Sequence, residues 1–368
     1  MNKQELGTGQ AAALTAVFTL GASTVIGGHA AKQDAWIALL IAFCAAVPLA
    51  LMLARISVLH PGKNLFEIIF GVFGKAAGWV IGLLTFLYAF QMGALTLRIF
   101  TEFVRTVSLE KTPQLLVGLV LMCLCAYAVW QGSGVMGRLG AAAAFFVGIV
   151  IVISFILLTG NMDIKNIQPV MSQPAESLVR NTLQIFSFSL GEIMLMLCLL
   201  GNLKNGGSRS GKYKIFLLGL TIGSALLLTG ILSGILTLGG STFYKLNFPA
   251  YVAASLIGIG NFLHRIEGLI SSNMVLCVFI KLSVCLYACV QGGEKLFGVK
   301  EKNRKKLIFP IALLMGLASA LFFGSAMEMF NWVGEIYPLY ALPFQIGLPL
   351  LLWIISEIKA ARPARKSP

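Results

Sequence analysis

Charge is what this sequence lacks. Only 11% of its 368 residues are charged, and acidic residues number 14; an ordinary soluble domain is about one quarter charged. A soluble fold of this length needs a polar shell that these residues cannot supply. Histidine is nearly absent, and His29, His60 and His264 lie far apart, so no metal centre is expected. No phosphate-binding Gly-x-x-x-x-Gly-Lys-Ser/Thr loop, His-Glu-x-x-His pair or nucleophile elbow occurs in a fitting context. Neither an enzyme nor a cofactor is therefore expected. Cys44, Cys123, Cys125, Cys198, Cys277, Cys285 and Cys289 all lie in apolar stretches. Their odd number argues against a disulfide framework, and they read as small core residues.

Apolar residues fill the space that charge leaves. They make up 58% of the chain, with a mean hydropathy of +0.87. A bilayer core of about 30 Å takes roughly twenty helical residues. That ruler marks ten spans, near 10–29, 35–55, 78–104, 113–131, 139–160, 181–200, 214–239, 266–291, 307–324 and 335–356. Backbone groups in lipid must be satisfied within the segment, and no period-two alternation suggests a barrel, so the spans are helices. The fold class is an all-α integral membrane protein. Lys3 and Glu5 precede the first run, and no cleavage site follows within a short apolar core, so that run is a span and not a removed signal. The stretch 249–262 is short and carries Pro249, Gly258 and Gly260, which predicts a re-entrant or surface helix. No soluble domain is expected; the chain is one membrane domain with a short tail at 357–368.

The net charge of +14 reads as topology and not as a nucleic-acid surface. With the N-terminus in the cytoplasm, the inner segments hold nineteen lysines and arginines and the outer ones seven. This asymmetry places both termini inside. The basic loop 292–306 then lies near anionic headgroups, so membrane lipid is an expected neighbour.

Activity is read from the interruptions. The first span carries Gly21, Ala22, Ser23, Thr24, Gly27 and Gly28, and glycines with hydroxyls weaken a helix near mid-membrane. The sixth carries Ser187, Ser189, Gly191 and the acidic Glu192. Each motif alone also suits close helix packing. Their separation by five spans fits two five-helix halves of inverted topology, about 10–160 and 181–356, in which the first helix of each half is broken at a ligand site. Half-helix N-termini then face a carboxylate, while unwound carbonyls face a cation.

Ionisable groups inside the spans sharpen that picture. Lys281 lies well within the eighth span, where an unpaired lysine is costly, and Glu192 is its natural partner. The pair serves either structure or coupling. Arg98 and Glu102, four residues apart on one face of the third span, read as a structural or gate-like pair near its outer end. Tyr88 and Gln91 are polar at membrane depth and either line a cavity or bond a neighbouring helix. Pro338, Pro343 and Pro349 predict a bent last span.

Several segments taken in order carry a resemblance: AKQDAWIALLIA, PGKNLFEI followed by Gly74–Lys75, LRIFTEF, RIEGL with FIKLSVCLYA, and YPLYALPFQIGLPLLLWII. Together they resemble the spore germination proteins of endospore-forming bacteria, the B subunits of nutrient germinant receptors, over nearly the whole chain. The resemblance implies membership of the amino acid–polyamine–organocation superfamily and a leucine-transporter-like fold. It implies a nutrient pocket lined by the first, third, sixth and eighth spans, which carries over to Gly21, Ser23, Thr24, Gln91, Ser187 through Glu192, and Lys281. Ile99 stands where relatives often have a second acid, and HRIEG departs from the usual start of the eighth span. The implied location is the spore inner membrane or cell membrane. The implied partners are a small nutrient such as an amino acid, a larger A subunit and a lipoprotein C subunit. A proton-coupled amino acid permease is the alternative function.

Overall fold

The computed structural model describes residues 5–21, 31–257 and 267–361. Among the described residues the regular structure is helical, apart from one backbone bridge between Leu6 and Leu203. The helices follow the apolar runs: α1 Thr8–Leu20, α2 Ala35–Leu59, α3 Leu65–Val107, α4 Gln114–Gln131, α5 Ser133–Leu158, α6 Ala175–Leu200, α7 Arg209–Leu238, α8 Glu267–Leu296, α9 Ile308–Leu321 and α10 Ala326–Ala361. Eight helices among the described residues are long and apolar enough to cross a membrane; α1 and α9 are the shorter members. Ala22, Ser23, Thr24, Gly27, Gly28, His29 and His264 lie outside the described residues.

Local chemistry sets the ends. Asn64 caps α3 by accepting from the Glu67 backbone N–H at 2.9 Å, while the Glu67 carboxylate accepts from the Asn64 N–H at 3.1 Å. The helix then kinks at Gly74 before its membrane portion. A short helix, Pro249–Ser255, stands at the start of the predicted re-entrant stretch, with proline in its first turn.

The helices α6 and α8 are the most deeply buried, with α1 beside them. Helix α1 packs on α5 and α7, α3 on α8, and α2 on α6, α7 and the end of α10. Lipid gives helices no hydrophobic reason to associate, so close contact rests on small side chains. The α1 stripe Ala12, Thr15, Ala16 and Thr19 meets Gly219 and Gly223 of α7. Large apolar residues such as Leu51, Phe145, Leu321 and Leu351 are exposed on the outer faces, as a lipid-facing surface requires. Two cysteines correct the sequence expectation: Cys44 and Cys123 sit on that outer face, whereas the other five are buried.

Both predicted weak points are real. Helix α1 stops at Gly21, whose φ of 42° and ψ of −130° no helix can continue. Helix α6 loses α geometry in mid-course: Phe186–Leu190 is a π turn and Gly191–Met196 a 3-10 turn. Such turns inside helices are uncommon and often mark functional positions.

A buried ion pair where two helices are interrupted

The interruptions meet at one side-chain constellation. The 3-10 turn of α6 carries Glu192, and α8 carries Lys281 opposite it. Both side chains are fully buried, and the Lys281 Nζ stands 2.5 Å from Glu192 Oε2. Two buried charges persist only where each is paired and further hydrogen-bonded. Here the Tyr337 hydroxyl of α10 donates to Glu192 Oε1 at 2.5 Å. Lys281 donates to the carbonyl of Phe188 at 3.1 Å, a group offered by the π turn. The ammonium also lies 4.6 Å from the Phe188 ring centroid, a favourable place for a desolvated cation.

Gly21 is part of the same centre. A Cβ built there would stand 2.5 Å from Lys281 Cδ and 2.9 Å from its Nζ. The positive φ already favours glycine, so conformation and space make the same demand. Ending α1 at this point brings the negative end of its dipole close to the ammonium. The interrupted helix therefore meets a cation supplied by the protein itself.

A second polar layer joins α3, α6 and α10. Gln345, in a π turn of α10, donates through Nε2 to the Ser187 carbonyl at 2.6 Å and to the Tyr88 hydroxyl at 2.9 Å. Ser187 donates to the Pro338 carbonyl at 3.2 Å. The Tyr88 ring stacks on Phe344 with centroids 4.7 Å apart. Ser187, Ser189, Gly191, Glu192 and Lys281 thus lie in one buried region. Gln91 is half-buried and its buried Oε1 has no hydrogen-bond partner; no bond of this network reaches it.

Arg98 and Glu102 are arranged differently from the expected direct pair. Gln114 of α4 stands between them, accepting from Arg98 and donating to Glu102 Oε2 at 2.5 Å. Glu102 takes its ion pair from Arg105 at 2.9 Å. The neighbouring helix supplies a ligand that the i, i+4 spacing on α3 could not reveal. The group belongs to the end of the bundle near the α3–α4 turn, apart from the Glu192 centre.

Sequence reasoning missed Tyr337 and Gln345. Both lie in the proline-rich last span, at an eight-residue spacing that places polar groups on one stripe of the helix. That spacing, in an otherwise apolar segment, was the available signal.

Interrupted helices around a buried polar centre define a transporter-type membrane fold, and comparison supports this class. Mhp1, a nucleobase-cation-symport-1 family transporter solved closed with bromovinylhydantoin bound, aligns over 94% of this chain and 77% of its own, with a TM-score of 0.65 and 13% identity. MhsT in complex with L-phenylalanine aligns over 93% and 87%, with a TM-score of 0.66 and 14% identity. At these identities the likeness concerns the fold, which is of the leucine-transporter type. The family described as spore germination protein matches residues 5–323, and the chain belongs to that family. Spore germination protein KB of Bacillus subtilis (strain 168) is 27% identical over 98% of this chain and 97% of its own length. The putative spore germination protein YfkT of the same organism is 24% identical over 90% and 89%. The protein is an integral membrane protein of the spore germination family.

Proposed function

We propose that this chain is the membrane subunit of a nutrient germinant receptor and that it senses an amino acid or similar small molecule at the Glu192–Lys281 centre. The observation that carries the reading is this fully buried pair, held where α1 and α6 both leave α-helical geometry. A zwitterion is complementary to it: its carboxylate suits Lys281, and its ammonium suits Glu192 and the end of α1. Binding would exchange one set of paired charges for another and so favour whichever bundle conformation admits the ligand. The protein acts here as a receptor and not as an enzyme. It works with A and C subunits, in the spore inner membrane or cell membrane, with both termini in the cytoplasm as the cation asymmetry directs.

The transporter neighbours give a specific reason to test a second reading, proton-coupled amino acid uptake. Purified chain in proteoliposomes, given a panel of labelled amino acids with and without a pH gradient, separates the two. The receptor reading expects no uptake, together with altered nutrient specificity in spores carrying Ser189→Ala. Gradient-driven uptake establishes the permease instead. An unchanged specificity profile in the variant counts against nutrient sensing at this centre.

A further inference from the structure

A groove of about 660 Å³ runs along the outer face between α2 and α10. On α2 it extends from Ala45 to Arg55. Ten helical residues cover about 15 Å, which is one leaflet of a hydrocarbon core about 30 Å thick. Its walls are apolar, with Pro48, Leu51 and Leu350 open to the lipid side. Only its end is polar. There Arg55 donates to both Glu357 oxygens, at 2.6 and 3.0 Å, and Trp353 donates to Oε1 at 3.2 Å.

We propose that this groove binds one acyl chain of an anionic phospholipid, and that the bound chain braces the π turn of α6. The shape is that of a lipid: a leaflet-long apolar slot that ends in polar groups. The sign of the headgroup follows from the charges beyond the slot. Arg55 and Glu357 neutralise one another, but Lys63 and Lys359 stand by His60 at the same end and remain in excess. A basic residue near the surface favours an anionic lipid by about fivefold.

The floor of the groove gives the site its consequence. Phe186 lines it and is the first residue of the π turn. Its ring is also a near neighbour of Gly191, since a Cβ there would stand 3.1 Å from Phe186 Cε1. On the opposite wall Ile346 follows Gln345 within the π turn of α10. An acyl chain in the groove therefore touches one residue of each distorted turn, both next to the polar centre. This inference holds whether or not the centre binds a nutrient.

The test uses the full chain in nanodiscs and the quenching of Trp353 by brominated acyl chains. Phosphatidylglycerol carrying the bromines in a phosphatidylcholine background is compared with the reverse labelling. The Trp353-specific signal is taken as the difference from Trp353→Phe. The expected result is half-maximal quenching at a several-fold lower mole fraction for phosphatidylglycerol. Amide exchange in residues 186–196 slows in the same discs. Ala45→Phe fills the slot from its exposed side without entering the core, and abolishes both the preference and the slowing. Lys63→Gln with Lys359→Gln removes the headgroup preference while chain quenching remains. Equal quenching by both lipids, or a preference untouched by Ala45→Phe, overturns the proposal. So does loss of Trp353 quenching when the chain sits in native membranes with its partner subunits, because a protein helix then fills the groove.

Discussion

Replacing Lys281 by methionine keeps an unbranched apolar stem between Phe18 and Phe188, and removes the ammonium with its ion pair to Glu192 and its hydrogen bond to the Phe188 carbonyl. Glu192 then stays fully buried with the Tyr337 hydroxyl as its remaining close partner. Breaking a buried pair in this way costs about 3–5 kcal/mol, because the surviving charge has neither water nor counter-ion. Glu192→Gln strands the ammonium and is expected to cost a similar amount. The double variant strands neither, and a neutral pair in the same space is often nearly as stable as the ionic one. Unfolding free energies in mixed micelles test the cycle. Each single variant is expected to lose several kcal/mol, and the double variant to recover most of it, leaving a coupling of at least about 2 kcal/mol. Additive losses in the double variant would refute the reasoning, since they would mean that the two residues do not sense one another.

Two further outcomes follow. Tyr337→Phe deletes the hydroxyl that donates to Glu192, and a hydrogen bond to a charged group is worth about 1.5–3 kcal/mol; the same micelle assay reads this loss, while far-UV circular dichroism stays unchanged. His60, at the end of α2, is held below its ordinary pKa by burial and then by Lys63 and Lys359, so it is neutral in the folded protein. The folded state then binds fewer protons than the unfolded one, unfolding takes up a proton, and stability declines as the pH falls below the ordinary histidine value. A stability profile from pH 8 to 5, compared with that of His60→Gln, shows the decline only in the native chain.

Much of the bundle was legible because the membrane leaves little choice. Apolar runs such as 113–131 and 214–239 became α4 and α7 within a few residues. The run at 139–160 began earlier, at Ser133, because the turn at Gly132 and not the first charge starts α5. The link between Glu192 and Lys281 was legible for the same reason: a charge deep in an apolar span must find an opposite one. Gly21 and Ser187–Gly191 announced the interruptions through poor helix propensity. They could not announce that α6 would yield through π and 3-10 turns while its chain stayed coiled. Tyr337 and Gln345 were masked by the prolines around them, which drew the reading toward bending. The Gln114 bridge was hidden because its position depends on how α4 folds back over α3. Apolar pattern reports depth in the bilayer, whereas contacts across helices depend on rotation about each axis.

Spores that carry Lys281→Met in place of the native chain give the most direct test of the central claim. Receptor abundance is checked in the same membranes, and the fall in optical density is followed over a panel of amino acids. The account predicts that the variant receptor answers no nutrient it served before, when compared with native spores of matched receptor abundance. Full germination with the native nutrient profile would show that the buried ammonium plays no part in sensing, and would contradict it.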